Sequence, residues 1–276
     1  MSLPDSKVLD LIDSSPLGGA LLKDPMEFMQ TYPENVLIHQ SRDARIPLER
    51  RLELQKELVA RDTFTQRKRF ALRLSETSMG AVCVKLRPQG GLGELFGPKY
   101  ARNEHRRHLD VERRGFAATR PLGHTKIVDG QGLRWQCFVQ KALSDADTSG
   151  ESILALSLKE RLPLVAQELA KLHQADIFHG DLKPYHVVIR EQSPHWLYVD
   201  LDPARIGLTS RRRTTNLYQA LRYFLDAQAS LAEPLVHHYV KGLSGFSSTA
   251  VPRQVARLIK VFEYKLENHS GPELNT

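Results

Sequence analysis

His179-Gly180-Asp181-Leu182-Lys183-Pro184-Tyr185-His186, followed by the apolar Val187-Val188-Ile189, decides how this chain is read. A polar turn at Glu191–His195 leads into a second apolar run, Trp196-Leu197-Tyr198-Val199, which ends in Asp200-Leu201-Asp202. An acidic residue, a lysine two places on and an imidazole five places on stand just before one strand signal, and an acidic pair follows the next. A loop aspartate between an apolar helix and an apolar strand costs free energy unless its polar atoms are paired or used. One carboxylate to orient a hydroxyl and another to hold Mg²⁺ against phosphates is the layout of a phosphoryl-transfer site.

Such a site also needs a cation on the nucleotide phosphates and a carboxylate that fixes the cation. Val82-Cys83-Val84-Lys85 has the pattern of a strand lysine, and Glu104 follows in a predicted helix, where it can pair with Lys85. By itself each is an ordinary surface residue. Asp181 is the strongest single candidate, as catalytic base. Lys183 is read either as steadying the transferred phosphate or as a solvated loop lysine. Asp200 is the best-placed Mg²⁺ ligand, and Asp202 either adds a second carboxylate or caps the following turn. His186 falls where a further metal ligand is expected, yet Mg²⁺ prefers oxygen. It is therefore read as a metal ligand, as a contact to phosphate or to Asp181, or as structural.

The rest of the sequence sets the frame. The chain has 276 residues, with 41% hydrophobic and 26% charged side chains, ordinary for a globular protein. Its net charge of +7 predicts attraction to an anionic partner. No run approaches the ~20 apolar residues of a membrane span. The first residues carry Asp5, Asp10 and Asp13 and no apolar run of signal type, which predicts a cytoplasmic location. Cys83 and Cys137 sit in apolar strand-like runs and read as reduced core residues.

Along the chain, residues 1–45 are broken by Pro and Gly and read as an extension that packs against the main domain. Residues 47–60 are ambiguous between helix and strand. Phe70–Leu74 and Ala81–Leu86 read as strands joined by a turn at Ser75–Gly80. A helix is expected over 100–114, ending at Gly115, with strands at 125–128 and 134–141. Leu162, Val165, Leu169 and Leu172 recur at helical spacing. Further helices are expected at 214–228, 232–242 and 252–267. A strand-rich front and a helix-rich back give an α+β arrangement of two lobes with a cleft. The domains expected are the extension 1–45, a nucleotide-binding lobe 46–142, and a helical lobe 143–276 with the catalytic and metal-binding loops.

With Lys85, Glu104 and the 179–202 stretch in that order, the chain resembles the protein-kinase-like fold, and more narrowly the bacterial lipopolysaccharide core kinases. The resemblance covers about residues 65–225. It rests on Gly91-Leu92-Gly93-Glu94 after the lysine strand, Ala101-Arg102-Asn103-Glu104-His105 in the helix, His186 closing the catalytic loop and Asp200-Leu201-Asp202. It implies ATP and Mg²⁺ as cofactors, Lys85 on the ATP phosphates with Glu104 as its partner, and Asp181 as base with Lys183 beside it. It also implies a hinge at Phe138–Leu143, with Gln140 and Ala142 beside the adenine, and metal binding at Asp200, with His186 and Asp202 as further ligands.

Gly180 replaces the arginine usual in protein kinases, no Gly-x-Gly-x-x-Gly loop precedes Lys85, and no Ala-Pro-Glu segment follows Asp202. Arg67, Lys68 and Arg69 lie near that loop's place and read as phosphate contacts or a solvated basic face. Together these departures favour a small or glycolipid acceptor over a protein. The expectation is a kinase acting on a heptose or Kdo hydroxyl of the lipopolysaccharide inner core, peripheral on the inner face of the inner membrane. Arginines at 102, 106, 107, 113, 114 and 211–213 would meet anionic sugars, lipid phosphates or the inner leaflet. Nucleic acid is the weaker partner, since no aromatic residues interleave with these clusters. The alternatives are a non-catalytic, pseudokinase-like regulatory or stress protein, and a phosphotransferase for free small molecules.

Overall fold

In the computed structural model the described residues are 3–37, 70–89, 100–144, 153–190, 196–243 and 251–268. The 47–60 stretch, Arg67–Arg69, the Gly91–Glu94 segment and the Glu191–His195 turn lie outside them. The chain divides into two compact units. The first comprises Met1–Gly150 and Arg190–Asp202, and the second Glu151–Ile189 and Pro203–Thr276. The acidic pair Asp200 and Asp202 thus belongs to the first unit, and the Asp181 loop to the second.

The first unit opens with α1 (Asp5–Asp13), α2 (Gly18–Lys23) and α3 (Pro25–Thr31), then β1 (Val36–Leu37). β2 (Phe70–Thr77), β3 (Gly80–Gln89), α4 (Tyr100–Arg113), β4 (Ala117–Ala118), β5 (Pro121–Val128) and β6 (Arg134–Lys141) follow. β1, β2, β3, β6 and β5 lie side by side, antiparallel throughout. The β2–β3 turn is tighter than the sequence suggests: only Ser78 and Met79 separate the strands, and Gly80 adopts φ +79°. Strand periodicity then sorts the side chains. Leu72, Leu74, Val82, Val84 and Leu86 join Val8, Ile12, Leu21, Phe28 and Met29 of the leading helices in one buried core. Each fully buried large aliphatic group contributes about 1.5–3 kcal/mol. The leading helices are therefore part of this core. Lys85 alternates with Val84 and Leu86 and points off the other face, where it stands opposite Phe138. His108 of α4 packs on the Phe138 ring at 5.3 Å, and the Ala101 amide donates to Gln136 Oε1 at 3.1 Å.

The second unit begins with α5 (Leu158–Gln174). It starts where Ser157 and Glu160 form a reciprocal capping box, one turn ahead of the apolar stripe legible from Leu162. β7 (Ile177–Phe178) precedes the Asp181 loop, and β8 (Val187–Ile189) follows it. β9 (Trp196–Tyr198) is in the first unit and pairs parallel with β4. β10 (Arg205–Ile206) returns antiparallel to β7, and α6 (Ser210–Phe224), α7 (Ala232–Lys241) and α8 (Val251–Asn268) complete the chain. α6 ends four residues earlier than its periodicity suggests, because Asp226 and Ala227 adopt positive φ. The observed class is mixed α+β.

Candidate active site

In the first unit, β3 supplies Lys85, α4 supplies Glu104 and the chain after β9 supplies Asp200. Lys85 Nζ lies 2.5 Å from Glu104 Oε1 and 3.2 Å from Asp200 Oδ1. Burial alone would lower the Lys85 pKa, but Asp200 and Glu104 outweigh it and hold the ammonium above its ordinary value. Burial pushes the Glu104 carboxyl up to about 6, against the opposing pull of Lys85. The lysine is thus charged and held between two carboxylates. α4 also carries Arg107, whose Nη1 donates to the Asp202 main-chain carbonyl and lies 3.1 Å from Asp202 Oδ1. That contact ties the acidic pair to the helix bearing Glu104. His108 donates through Nδ1 to the Thr119 carbonyl at 2.9 Å, and burial depresses its pKa to about 3, so the ring is neutral.

Gln140 is fully buried, and its Oε1 accepts from the Thr119 hydroxyl at 3.0 Å. The Ala142 amide donates to the Ala81 carbonyl at 3.1 Å. These two residues make protein contacts that complete the sheet.

Asp200 and Asp202 offer the hard carboxylate oxygens that Mg²⁺ prefers. The Asp202 amide donates to Asp200 Oδ1 at 3.4 Å. Among the described residues no group of three or more His, Cys, Asp or Glu is placed to hold a metal ion. Mg²⁺ ordinarily takes one or two carboxylates and completes its shell with water and nucleotide phosphate.

In the second unit, Asp181 Oδ1 lies 3.1 Å from Lys183 Nζ. Partial burial would lower the Lys183 pKa, but the Tyr185 hydroxyl and the Asp181 carboxylate hold it at about 12. His186 Nδ1 donates to the Asp181 main-chain carbonyl at 2.8 Å and stands 3.6 Å from Asp181 Oδ2. His186 therefore contacts Asp181 itself. Gly180 adopts φ +86°, and a Cβ there would lie 2.4 Å from the Pro203 carbonyl oxygen. Both constraints explain why glycine stands where an arginine is usual.

Sequence reasoning missed the polar side chains that hold this loop. Gln219 Nε2 donates to the Gly180 carbonyl at 2.8 Å, and its Oε1 accepts from the Leu182 amide at 3.3 Å. Asn216 Oδ1 accepts from the His179 amide at 3.3 Å, and its Nδ2 donates to Gln219 Oε1 at 2.8 Å. His173 donates through Nε2 to Asn216 Oδ1 at 3.2 Å and accepts at Nδ1 from the Tyr239 hydroxyl at 2.7 Å. The signal was present: Asn216 and Gln219 interrupt the buried face marked by Leu217, Leu221 and Phe224, and buried amides need partners.

Residues 141–263 match the sequence model of the lipopolysaccharide kinase (Kdo/WaaP) family. A structure described as WaaP in complex with acyl carrier protein superposes with a TM-score of 0.50. It is 17% identical and covers 74% of this chain and 86% of that one, a likeness of fold. The chain is also 36% identical over 86 residues to the EKC/KEOPS complex subunit BUD32 of Yarrowia lipolytica. That match spans 31% of this chain and 31% of the length of that curated relative. The kinase-like fold and the lipopolysaccharide kinase resemblance read from the sequence are borne out.

Proposed function

We propose that this chain, whose residues 141–263 match the sequence model of the lipopolysaccharide kinase (Kdo/WaaP) family, phosphorylates a heptose or Kdo hydroxyl of the lipopolysaccharide inner core at the expense of ATP. The observation that carries this reading is the charged trio Lys85, Glu104 and Asp200, in a chain whose family match includes the Asp181 loop. Lys85, held by Glu104, engages the α- and β-phosphates of ATP. Asp200, with Asp202 beside it, would hold Mg²⁺, which when bound neutralises phosphate charge. Asp181 orients the acceptor hydroxyl and takes its proton as the sugar oxygen bonds to the γ-phosphorus. The bond from that phosphorus to the β-bridging oxygen breaks, and ADP leaves. Lys183, 3.1 Å from Asp181, balances charge as the phosphoryl group moves. His186 would act by holding the Asp181 main chain, with the metal left to oxygen ligands.

No described helix is long and apolar enough to cross a membrane. Access to a lipid-linked sugar would then come from the positive charge of the chain, through peripheral contact with the inner leaflet. A contact with acyl carrier protein, like the one named for the structural relative, would show as comigration in size-exclusion chromatography. The test of the main reading is phosphate transfer from labelled ATP to purified core glycolipid. Asp181→Asn and Asp200→Asn are each expected to remove it while leaving the circular dichroism spectrum unchanged. Transfer that survives both substitutions overturns the assignment.

The 36% identity to BUD32 favours a second reading, a kinase acting within a protein assembly. Phosphorylation of a co-purifying protein, with core glycolipid left unmodified, would select it.

A further inference from the structure

Helix α4 holds more than Glu104. Arg107 and His108 follow that residue at three and four places, so all three share one face of the helix. Arg107 Nη1 donates to the Asp202 main-chain carbonyl and lies 3.1 Å from Asp202 Oδ1. His108 Nδ1 donates to the Thr119 carbonyl at 2.9 Å, and the Thr119 amide donates in turn to the Tyr198 carbonyl at 2.9 Å. Consecutive residues of one helix thus fix the chain two residues before Asp200 and two residues after it. All of these residues belong to the first unit.

The two carboxylates of the acidic pair are not equivalent. The Arg107 and Asp202 side chains are 14% and 12% exposed, which makes theirs an enclosed ion pair. The Asp200 side chain is 25% exposed. Mg²⁺ keeps several waters in its shell, so a carboxylate that binds it must stand open to solvent and phosphate. Asp200 is the more open of the two. Arginine suits the other task, because a guanidinium stays charged and presents several donors in a fixed plane. One of its nitrogens here engages both a main-chain carbonyl and a carboxylate of the same residue.

We propose that Arg107 is a positioning residue: it holds Asp202 as an anchor and, with the His108–Thr119–Tyr198 tether, sets Asp200 as the carboxylate presented to the metal. The assignment rests on the reading of Asp200 as the Mg²⁺ ligand of a nucleotide site and deepens it. It divides the acidic pair, with Asp200 facing the metal and Asp202 keeping the chain in place.

The test is titration calorimetry of a non-hydrolysable ATP analogue into the full chain, once with Mg²⁺ and once with EDTA in its place. The quantity read is the ratio of the two dissociation constants, which is the affinity gained from the metal. General loosening of the fold weakens binding in both buffers, whereas displacement of Asp200 lowers the ratio. Asp200→Asn and Arg107→Leu are each expected to lower it roughly tenfold. Arg107→Lys, which keeps the charge without the planar fork, should retain part of it. Asp202→Asn, whose amide oxygen still accepts from Arg107, should stay within about threefold of the wild type. If Arg107→Leu does not fold, Arg107→Gln is read in its place. A ratio as low in Asp202→Asn as in Asp200→Asn, or a wild-type ratio in the Arg107 variant, overturns the proposal. Core-glycolipid transfer assayed alongside separates the claims. The expected pattern without transfer removes the core-kinase reading alone, and transfer with a contrary pattern removes the Arg107 assignment alone. Wild-type binding that is indifferent to Mg²⁺ removes the metal-site reading and the Arg107 assignment with it.

Discussion

The Lys85 ammonium lies 2.5 Å from the Glu104 carboxylate, and side-chain exposures of 15% and 4% keep most water away from both. In such a place the protonation state of the glutamate decides whether the lysine is held. Below about 6, Glu104 takes up a proton and its attraction for Lys85 weakens. Above that value it is ionised and the pair is complete. The ATP kcat/KM is therefore expected to fall as pH drops through about 6. In Glu104→Gln this acid limb should vanish, and kcat/KM at neutral pH should lie roughly 100-fold or more lower, as for the ~3–5 kcal/mol lost when a buried ion pair loses one partner. A pH–rate profile of both proteins checks it, and an unchanged acid limb in the variant would count against this role.

Gln219 makes two bonds to the backbone on either side of Asp181. In Gln219→Leu the Gly180 carbonyl and the Leu182 amide lose that partner, at a cost of about 1–3 kcal/mol. Acceptor turnover should drop while nucleotide affinity stays near wild type. Equal losses in both would mean general unfolding in place of loop displacement.

Gly180→Ala combines a positive φ with a Cβ 2.4 Å from the Pro203 carbonyl. We expect destabilisation of about 1–3 kcal/mol, read as a lower melting temperature, with turnover reduced further by the displaced loop. A variant as stable and active as wild type would show that the loop relaxes freely.

His173 is buried and neutral, its pKa depressed by burial to about 4 from 6.5. A depressed histidine stabilises the fold above its unfolded pKa. That contribution is lost as pH falls from about 6.5 toward 4, because the unfolded chain then binds the extra proton. Urea unfolding is expected to show stability declining across that window. His173→Gln, lower in stability at pH 7, should show a shallower decline. An identical slope in both proteins would remove His173 as the cause.

Much of this was legible in the sequence, and the reasons differ by element. The alternation around Lys85 places it opposite the Val84–Leu86 face, because strand period two leaves no other choice. The helices were legible from their apolar stripes, with errors at the ends where caps and positive φ decide. Ser157 and Glu160 start α5 one turn early, and Asp226 stops α6. The core role of α1–α3 was not legible. Residues 1–45 read as an extension packed against the main domain, but that Val8, Ile12 and Phe28 enter its core emerges only with the facing surface of the sheet. The Asn216–Gln219 clamp and the Arg107–Asp202 contact also escaped notice. Each joins residues distant in sequence, so that even amides standing in a buried helix face, as Asn216 and Gln219 do, do not by themselves name their partners.

The most direct measurement is mass spectrometry of purified lipopolysaccharide core glycolipid after incubation with this chain, ATP and Mg²⁺. The account predicts the gain of one phosphate per acceptor with the wild type and none with Asp181→Asn. An unmodified glycolipid with the folded wild-type chain, or the same gain with Asp181→Asn, would contradict it.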